Sequence, residues 1–364
     1  MTTETNSDRT VRAGVVGCGK IAHNHVRALQ AIPGVEVVAV VDKKLSLAKD
    51  FAAQYGIAHA GEHLDDFFTN QMDLATICTP HPAHEEGVIR AAEAGVHVLC
   101  EKPVAVSLES IDRMIEACER EGVRFGVLFQ RRFWNAALKI REALSKGAIG
   151  TPVLGSVEVR FRRDREYYQD DWRGRWDTEG GGVLINQAIH HIDLLQWFMG
   201  DVVGVAGSIR TLRHTDVMEV EDSAVAHLEF ASGAIASILA TTTLKNGLGG
   251  QVMISDQEGK TASLIEFPEG VGVLDVWSVD DEPQVVPVYN SNVPFDRPLS
   301  EIHADLVPFH TQQIEEFVDA VRAGRDPSVT GREARKSLAI VLAIYESSRA
   351  GTRIDMTAPK WVGQ

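Results

Sequence analysis

The order of apolar and polar positions divides the chain into two parts. Val35–Val41 is almost uninterrupted valine and alanine, which is typical of a parallel strand covered on both faces. Similar short runs alternate with helical patterns in the first part of the chain. The predicted strands lie at 11–16, 35–41, 74–78, 96–100 and 124–129, with helices near 82–94 and 107–121. Repeated strand–helix units predict a doubly wound parallel sheet, so we assign residues 11–130 to a Rossmann domain.

The pattern changes after a helix predicted at 134–146. Strand-like runs are now separated by turn residues such as Ala231–Gly233, which predicts antiparallel pairing. These strands lie at 153–163, 224–230, 234–243, 251–255 and 261–266, and the helices near 181–199, 309–323 and 331–349. We assign residues 131–364 to an α+β domain, which makes the whole chain α/β, and residues 1–10 to a flexible N-terminal tail.

Composition narrows the classes of function. At 364 residues the chain is too long for one ordinary domain. A net charge of −15 argues against binding to nucleic acid or to an anionic membrane surface, and no apolar run is long enough to cross a bilayer. The polar first ten residues lack the apolar region of a signal peptide. The four cysteines form no C-x-x-C pair, so we interpret them as reduced and expect a cytoplasmic protein.

The segment from Gly17 to Ala22 has the spacing of a dinucleotide-binding turn. It reads G-x-G-x-x-A after a strand and before a helix. The first glycine permits the turn, and the second lets a pyrophosphate approach the N–H groups at the helix start. Asp42 ends the next strand, where its carboxylate would bind a ribose diol. We therefore predict NAD as cofactor, held by Gly17, Gly19, Lys20, Ile21 and Asp42.

Two alternatives to this interpretation stay open. Lys43 and Lys44 follow Asp42 directly and would tolerate a 2′-phosphate, so NADP is an alternative cofactor. A plain turn followed by a helix-capping aspartate is the structural alternative, and it fits the strand–turn–helix context less well.

Two other strand ends carry residues suited to chemistry. In open α/β sheets the ligand lies beyond the carboxyl ends of the strands, and both Thr79–His84 and Glu101–Pro103 follow predicted strands. Lys102 would project toward the cofactor, where a partly desolvated lysine can exchange a proton. A surface Glu–Lys pair of little energetic value is an equally weighted alternative.

Glu179–Asp193 combines a glycine triplet with two adjacent histidines. On a helix, Asn186 and His190 would be four residues apart on one face, and Asp193 would be near enough to orient the imidazole. Histidine suits general acid–base chemistry near neutral pH. The alternative is a helix that only packs apolar residues in a core, and the histidines beside three glycines make us favour a functional site.

Residues 161–176 concentrate arginines and aromatic side chains in an otherwise acidic chain. Arginine binds carboxylates and phosphates, and aromatic rings stack on sugars or bases. A subunit interface is the structural alternative, and nucleic acid is disfavoured by the net charge. The histidine pairs of the chain lack H-E-x-x-H spacing and an accompanying set of thiolates, so we predict no metal site.

These motifs together resemble the Gfo/Idh/MocA oxidoreductases, in order and spacing, over nearly the whole chain. The residues that carry the resemblance are the glycine turn, Asp42, Thr79-Pro80 with His84, Glu101-Lys102-Pro103 and the segment from Gly180 to Asp193. The resemblance implies a large open, mainly antiparallel sheet in the second domain and homodimers or homotetramers formed through it. It also implies that Lys102 and His190 are catalytic, and that the cofactor is contacted by Thr79, Pro80, His84, Glu101 and Lys102.

Within the family, the segment Trp172–Trp176 and the glycine-rich helix look most like a subgroup that oxidises the 3-hydroxyl of nucleotide-linked sugar acids. Many members carry aspartate at the position of Asn186, and an amide cannot accept a proton, so the relay must run through Lys102, His190 or a tyrosine. The substrate contacts that follow from the resemblance are Gln130, Arg163, Tyr167, Tyr168, Trp172, Arg173, Asn186 and His190.

The expected function is hydride transfer between NAD(P) and a secondary hydroxyl or ketone of a sugar, sugar acid, polyol or nucleotide sugar. Two alternatives belong to other classes: NAD-dependent glycoside cleavage without net redox, and a non-catalytic NAD-sensing regulator. The expected partner is a small carbohydrate, anionic if the arginines contact it, with neither nucleic acid nor membrane.

Overall fold

The valine-rich runs form the predicted parallel sheet. The computed structural model describes residues 9–169, 172–279, 284–285 and 297–363. The first six strands are β1 (Val11–Val16), β2 (Val35–Val41), β3 (His59–Gly61), β4 (Leu74–Ile77), β5 (His97–Cys100) and β6 (Phe125–Val127). They pair in parallel in the order β3-β2-β1-β4-β5-β6. The order reverses between β1 and β4, which is the point where doubly wound sheets bind ligands.

Five helices connect these strands, as the repeated strand–helix units predict. They are α1 (Ala22–Ala31), α2 (Leu45–Tyr55), α3 (Leu64–Phe68), α4 (His84–Glu93) and α5 (Leu108–Glu121). Helix α5 shows how local sequence sets the boundaries, because the Ser107 hydroxyl accepts the N–H of Ser110 at its start and Gly122 adopts a left-handed conformation at its end. Leu29 of α1 packs on Val15 and Val40 of the sheet in a fully buried core.

The second sheet has nine strands, and most of its neighbours are antiparallel. The strands are β7 (Pro152–Arg160), β8 (Val202–Arg210), β9 (Ser223–Phe230), β10 (Ile235–Thr241), β11 (Gly249–Asp256), β12 (Thr261–Glu266), β13 (Gly272–Trp277), β14 (Gln284–Val285) and β15 (Ile354–Asp355). Their order is β14-β13-β12-β11-β7-β10-β9-β8-β15, and only the β7–β10 pair is parallel. Burial alternates along β10, so one face of this sheet is covered and the other is exposed.

Helices cover one face of the second sheet. The remaining helices are α6 (Asn135–Ser145), α7 (Ile189–Met199), α8 (Leu299–Ala323), α9 (Gly331–Ala350) and α10 (Pro359–Val362). Helix α7 packs closely on β7, because a Cβ added at Gly155 would lie 2.3 Å from Met199 Sδ and 2.9 Å from Leu195 Cδ1. One π-helical turn, Leu184–Ala188, leads into α7.

Some predicted boundaries differ from the structure. Helix α8 begins at Leu299, ten residues before the predicted start at 309, and continues through Pro308. Proline is common at the first turn of a helix and rare inside one. The sequence therefore predicts a helix that begins next to Pro308, and not one that continues through it. The sequence prediction also omits β3, β8 and β13. Strand β3 is only three residues long, and β8 contains two glycines that weaken its strand pattern.

The chain forms two compact units. The first contains the described residues up to Gln130 together with Val307–Arg335, and the second contains Arg131–Leu306 and the part from Lys336 onward. The predicted domains, 11–130 and 131–364, assign Val307–Arg335 to the second domain instead. Residues 1–8 of the predicted tail lie outside the described residues. Within the described ranges, every helix is too short or too polar to cross a membrane.

Candidate functional site

The glycine turn after β1 leaves room for a ligand at the start of α1. Gly17 has a positive φ of 90°, and a Cβ there would lie 2.9 Å from the backbone of Cys78, so only glycine fits. A Cβ added at Gly19 would meet nothing within 4 Å. Lys20 is exposed and Ile21 is half-buried where α1 begins. This open backbone at a helix start fits the pyrophosphate of a dinucleotide.

Asp42 lies at the end of β2, beside the glycine turn. Its Oδ2 accepts the N–H of Cys18 (2.9 Å) and its Oδ1 accepts the N–H of Lys44 (2.9 Å). These two bonds fix the orientation of a half-buried carboxylate next to the turn. A carboxylate held in this place can accept hydrogen bonds from ribose hydroxyls and would repel a 2′-phosphate.

Thr79 and Pro80 follow β4, one strand from the glycine turn. The Thr79 hydroxyl oxygen is buried and has no hydrogen-bond partner among the residues that the structure describes. His84 is fully buried, with Nε2 2.8 Å from the carbonyl oxygen of Thr79 and Nδ1 3.2 Å from that of Val104. Burial lowers the pKa of His84, which favours the neutral imidazole. The ring therefore supports the loop that carries Thr79.

Glu101 and Lys102 follow β5. Glu101 is buried, and its Oε1 lies 2.8 Å from His25 Nε2 of α1 and 3.9 Å from His310 Nε2 of α8. Burial alone would raise the pKa of Glu101, but the hydrogen bond and charge of His25, with His310 and Lys102, lower it to about 2. Glu101 is therefore ionised, and Lys102 stands half-buried next to a fixed negative charge. Gln130, also predicted as a site residue, is buried at the end of this unit.

In the second unit, the predicted helix near 181–199 begins with the π-helical turn. Asn186 lies in that turn and is half-buried, whereas His190 lies in the first turn of α7 and is buried. A π turn is wider than an α turn and is frequent at functional sites. The α-helical spacing assumed from sequence therefore does not describe how Asn186 and His190 are arranged.

A buried glutamate orients the Asn186 amide. Asn186 Nδ2 donates to Glu179 Oε1 and, over 3.3 Å, to the Tyr167 hydroxyl oxygen. Glu179 is almost fully buried, and its Oε2 accepts the N–H of Gly174 (2.6 Å). An ionised carboxylate only accepts, so the nitrogen of the amide must face Glu179 and its oxygen must face away.

Tyr167 connects most of the predicted substrate residues. Its hydroxyl oxygen also accepts from Gln187 Nε2 (3.2 Å). The guanidinium carbon of Arg173 lies 4.2 Å from the centre of the Tyr167 ring and 4.8 Å from that of Trp172. These are cation–π distances, and they hold Arg173 between two aromatic rings. The cluster of Tyr167, Trp172, Arg173 and Asn186 is thus one connected group, which we call the Tyr167 cluster.

Arg163 and Tyr168 flank this cluster from buried positions. The Arg163 guanidinium stacks on the Tyr167 ring at 5.4 Å and makes two hydrogen bonds to the carboxylate of Glu269. The Tyr168 hydroxyl bonds the Thr242 hydroxyl (3.0 Å), and burial raises the pKa of Tyr168. Arg163 is therefore already neutralised by a carboxylate, whereas the nearby Arg175 is exposed.

The Asp193 carboxylate is bound by Arg132 and Ser337. Its two oxygens accept hydrogen bonds from Arg132 Nε (2.7 Å) and the Arg132 terminal nitrogen (2.8 Å), and Oδ1 also accepts from Ser337. All three side chains are buried. The aspartate anchors α7 to the residues before α6 and to α9.

Sequence reasoning missed several residues that hold these sites, namely His25, Glu179, Glu221, Glu266, Glu269, His310 and Tyr345. Most of their partners are far away in the chain, so no local spacing connects them. In the described parts of the chain, histidine, cysteine, aspartate and glutamate form no group of three or more that could hold a metal ion.

Comparison with known families adds an independent finding. Residues 11–129 match the model described as the GFO/IDH/MocA oxidoreductase family with an NAD-binding Rossmann fold. Residues 137–261 match the model of the GFO/IDH/MocA C-terminal domain. The two matches follow one another along the chain and fall on the two sheets.

Individual relatives extend the likeness over most of the chain. An inositol 2-dehydrogenase/D-chiro-inositol 3-dehydrogenase of Shouchella clausii is 30% identical over 74% of this chain and 78% of its own length. A D-apiose dehydrogenase of Paraburkholderia graminis is 26% identical over 97% of this chain and 91% of its own. The WlbA dehydrogenase of Bordetella pertussis, solved with NADH and UDP-GlcNAcA, is 32% identical, covers 96% of this chain and 98% of its own, and has a TM-score of 0.79.

Proposed function

This chain belongs to the GFO/IDH/MocA family of oxidoreductases, and we propose on that premise that it transfers hydride between NAD and a secondary hydroxyl of a carbohydrate. One observation carries the proposal. The adjacent strands β1, β4 and β5 end in Gly17, Thr79 and Lys102 at the same edge of the sheet. This edge is where the fold binds dinucleotides, which supports placing Lys102, a lysine suited to proton transfer, beside the cofactor.

The residues present fit NAD. In this proposal the backbone at the glycine turn holds the pyrophosphate, and Asp42 binds the adenosine ribose. The turn residues are Gly17, Gly19, Lys20 and Ile21. The rest of the dinucleotide is contacted by Thr79, Pro80, Glu101 and Lys102. His84, whose buried ring lies 2.8 Å from the Thr79 carbonyl oxygen, is the further proposed contact beside Thr79. NAD⁺, when bound, would accept the hydride of the carbinol, and NADH would donate a hydride to the ketone in the reverse direction. Every other part of the chemistry falls to side chains of this protein.

Lys102 and His190 are the proposed acid–base residues. Asn186 cannot accept a proton, and its amide is already committed to Glu179. We assign His190 to accept the proton of the substrate hydroxyl, since an imidazole titrates near neutral pH. Lys102 polarises the substrate oxygen and is kept beside the ionised Glu101. General acid–base assistance of this kind is worth roughly 10²- to 10⁴-fold in rate.

The Tyr167 cluster supports an anionic substrate, such as a nucleotide-linked sugar acid. Arg173 is half-buried between two aromatic rings, and a guanidinium in that setting can form paired hydrogen bonds to a carboxylate or phosphate. WlbA, which has been solved with UDP-GlcNAcA, is among the structures most similar to this chain. Gln130, Arg163, Tyr168 and Trp172 complete the proposed substrate surroundings.

Replacing Asp42 tests the cofactor assignment. In Asp42→Ala, we expect the Kd for NADH to rise about 10- to 100-fold, because hydrogen bonds to a charged acceptor contribute about 1.5–3 kcal/mol. The preference for NADH over NADPH should shrink in the same variant. Titration of both reduced cofactors by fluorescence measures both effects, with Asp50→Asn, an exposed position on α2, as the control. Unchanged affinity in Asp42→Ala would refute the ribose contact.

Replacing Arg173 tests the class of substrate. In Arg173→Met, kcat/KM for an anionic sugar should fall about 10- to 100-fold because a charge-assisted hydrogen-bond pair is lost. A neutral sugar should be affected far less. Steady-state rates with a UDP-linked uronate and with a free neutral sugar give the comparison, and Arg175→Met is the matched control on the exposed side of the same segment. Equal losses with both sugars would remove the argument for an anionic substrate.

Assembly and location stay predictions. The exposed face of the second sheet carries a row of apolar side chains, Leu154, Val225, Ile235 and Leu239, each at least 40% exposed. An apolar face of this kind supports the proposed homodimer or homotetramer. The proposed cytoplasmic location is supported only by the cysteine usage.

A further inference from the structure

Glu221 makes an unusual set of contacts at the start of the segment that carries Asn186 and His190. Its Oε2 accepts the N–H of Gly182 (2.9 Å), its backbone oxygen accepts that of Val183 (3.0 Å), and its Oε1 accepts that of Leu184 (2.9 Å). Helix starts leave their first N–H groups without partners inside the helix. Here one residue accepts three consecutive N–H groups of that kind.

Tyr345 of α9 completes the arrangement. Its hydroxyl donates to Glu221 Oε1 (2.9 Å), and its oxygen is also hydrogen-bonded by the backbone of Ile185. Glu221 and Tyr345 are both about 1% exposed. Neither side chain has a place in the chemistry proposed above, and neither belongs to the segment that it holds.

Two glycines of the triplet, Gly181 and Gly182, are explained by the same two residues. A Cβ added at Gly181 would lie 2.1 Å from the Tyr345 hydroxyl, and one added at Gly182 would lie 1.8 Å from the carbonyl oxygen of Glu221. Any larger side chain would push the pair away from the backbone that it holds. The glycines are therefore required by the close approach of Glu221 and Tyr345.

We propose that Glu221 and Tyr345 form a buried positioning pair that fixes the π-helical turn and the first turn of α7, and so sets where Asn186 and His190 point. This inference rests on the proposed function for its consequence on turnover. The anchoring itself is independent of any substrate. A carboxylate at a helix start is also favoured by the helix dipole.

The ionisation of Glu221 gives the pair a signature. Burial raises the pKa of Glu221 to about 7, against the hydrogen bonds from Leu184, Gly182 and Tyr345, which favour the ionised form. The pKa of Glu221 is higher when it anchors the segment than when the segment opens and exposes the carboxyl group. The anchored (closed) segment therefore binds a proton that the open segment releases. Glu221 therefore contributes most to closure at acidic pH, and the contribution declines as the pH rises through about 7.

The groups that face Glu221 are known. Tyr345 is the titratable group in direct contact, and burial followed by the charge of Glu221 raises its pKa well above the ordinary value. Arg349 lies over Trp176, whose ring packs on Tyr345. Asp222, next in the chain, accepts the N–H groups of Leu212, Arg213 and His214. A change in protection near neutral pH is therefore expected from Glu221.

Hydrogen exchange tests the anchoring without a substrate. The full-length protein is compared with Glu221→Gln, which faces the N–H donors with an amide group, and with Tyr345→Phe, which removes the donor to Glu221 and the acceptor of the Ile185 N–H. We expect exchange of peptides covering 182–190 to accelerate at least about tenfold in Glu221→Gln and less in Tyr345→Phe. Glu219→Gln, two residues earlier and exposed, should leave these peptides unchanged.

Two further readouts separate positioning from general stability. The peptides covering 182–190 should be better protected from hydrogen exchange in wild type than in Glu221→Gln. This difference should become smaller as the pH is raised through about 7. In steady-state assays, Glu221→Gln should lower kcat about tenfold while KM for NAD stays unchanged, since misplaced acid–base groups slow chemistry and leave cofactor binding intact. Unchanged exchange in both variants, or changed exchange with an unchanged kcat, would overturn the inference. Accelerated exchange in a protein that oxidises no sugar would instead refute only the proposed function.

Discussion

A Lys102→Met variant is expected to lose about 10²- to 10⁴-fold in kcat, the usual value of general acid–base assistance, while its Kd for NAD stays within a few-fold of wild type. Lys102 follows β5 at the edge shared with the glycine turn, and it is half-buried next to the ionised Glu101. Methionine keeps the length and apolar stem of lysine and removes only the ammonium group. The loss therefore reports on polarisation and proton transfer rather than on packing.

The control for this variant is Lys146→Met. Lys146 is 69% exposed at the end of α6 and pairs only with Glu142 four residues earlier, so its replacement should leave kcat unchanged. Single-turnover rates and cofactor titrations on both variants make the comparison. A Lys102→Met enzyme that turns over at the wild-type rate would show that Lys102 takes no part in the reaction.

The second large effect is on stability. Glu266→Gln is expected to lower the free energy of unfolding by about 3–5 kcal/mol, because removing one partner of a buried ion pair leaves the other charge uncompensated. Glu266 is fully buried, accepts two hydrogen bonds from Arg131 (3.0 and 2.6 Å), and has His191 Nε2 at 3.1 Å. Denaturant unfolding measures the change.

The same residue sets a pH dependence with a definite sign. Burial alone would raise the pKa of Glu266, but the charge of Arg131 and the contacts of His191 lower it below the usual glutamate value. A depressed carboxyl pKa contributes stability that is present above the pKa of the unfolded chain and is lost as the pH falls below it. Wild type should therefore lose stability in acid more steeply than Glu266→Gln. Glu258→Gln, at a 74% exposed position, should match wild type throughout, and a Glu266→Gln protein as stable as wild type would refute the argument.

Much of the first unit follows from the sequence for a physical reason. A strand covered on both faces must be apolar throughout, so Val35–Val41 is recognisable without its partners. The tight turn at Gly17 allows only glycine, because any Cβ would collide with Cys78. Local constraints of this type leave local signals. The five strands predicted in this unit are confirmed as β1, β2, β4, β5 and β6, and only the three-residue β3 is missing from the prediction.

The parts of the site that could not be predicted depend on distant partners. Glu221 and Tyr345 are 124 positions apart in the chain, and Arg131 and Glu266 are 135 apart. A buried glutamate has no local pattern that distinguishes it from an exposed one. The helix near 181–199 was predicted from its apolar residues, but its π turn depends on the anchoring at Glu221 and has no periodicity of its own.

The same limit applies to Arg163 and Asp193. In the sequence, Arg163 belongs to a cluster of arginines suited to binding a substrate. In the structure, its guanidinium is hydrogen-bonded to the carboxylate of Glu269, which lies 106 positions away in the chain. Asp193 lies three positions from His190, and its carboxylate binds Arg132, 61 positions away in the chain. Spacing shows which residues share an element, and only the fold decides which charges meet.

The most direct test of the central claim is a single-turnover assay under anaerobic conditions. Purified protein, at a concentration similar to that of added NAD, is mixed with free sugars, uronates, inositols and UDP-linked sugars, and the absorbance and fluorescence of NADH are followed. The account predicts NADH formation with at least one carbohydrate, most strongly with an anionic nucleotide sugar, and almost none in Lys102→Met. Proven NAD binding with no NADH formed from any carbohydrate, and no NADH consumed by the corresponding keto sugars, would contradict it.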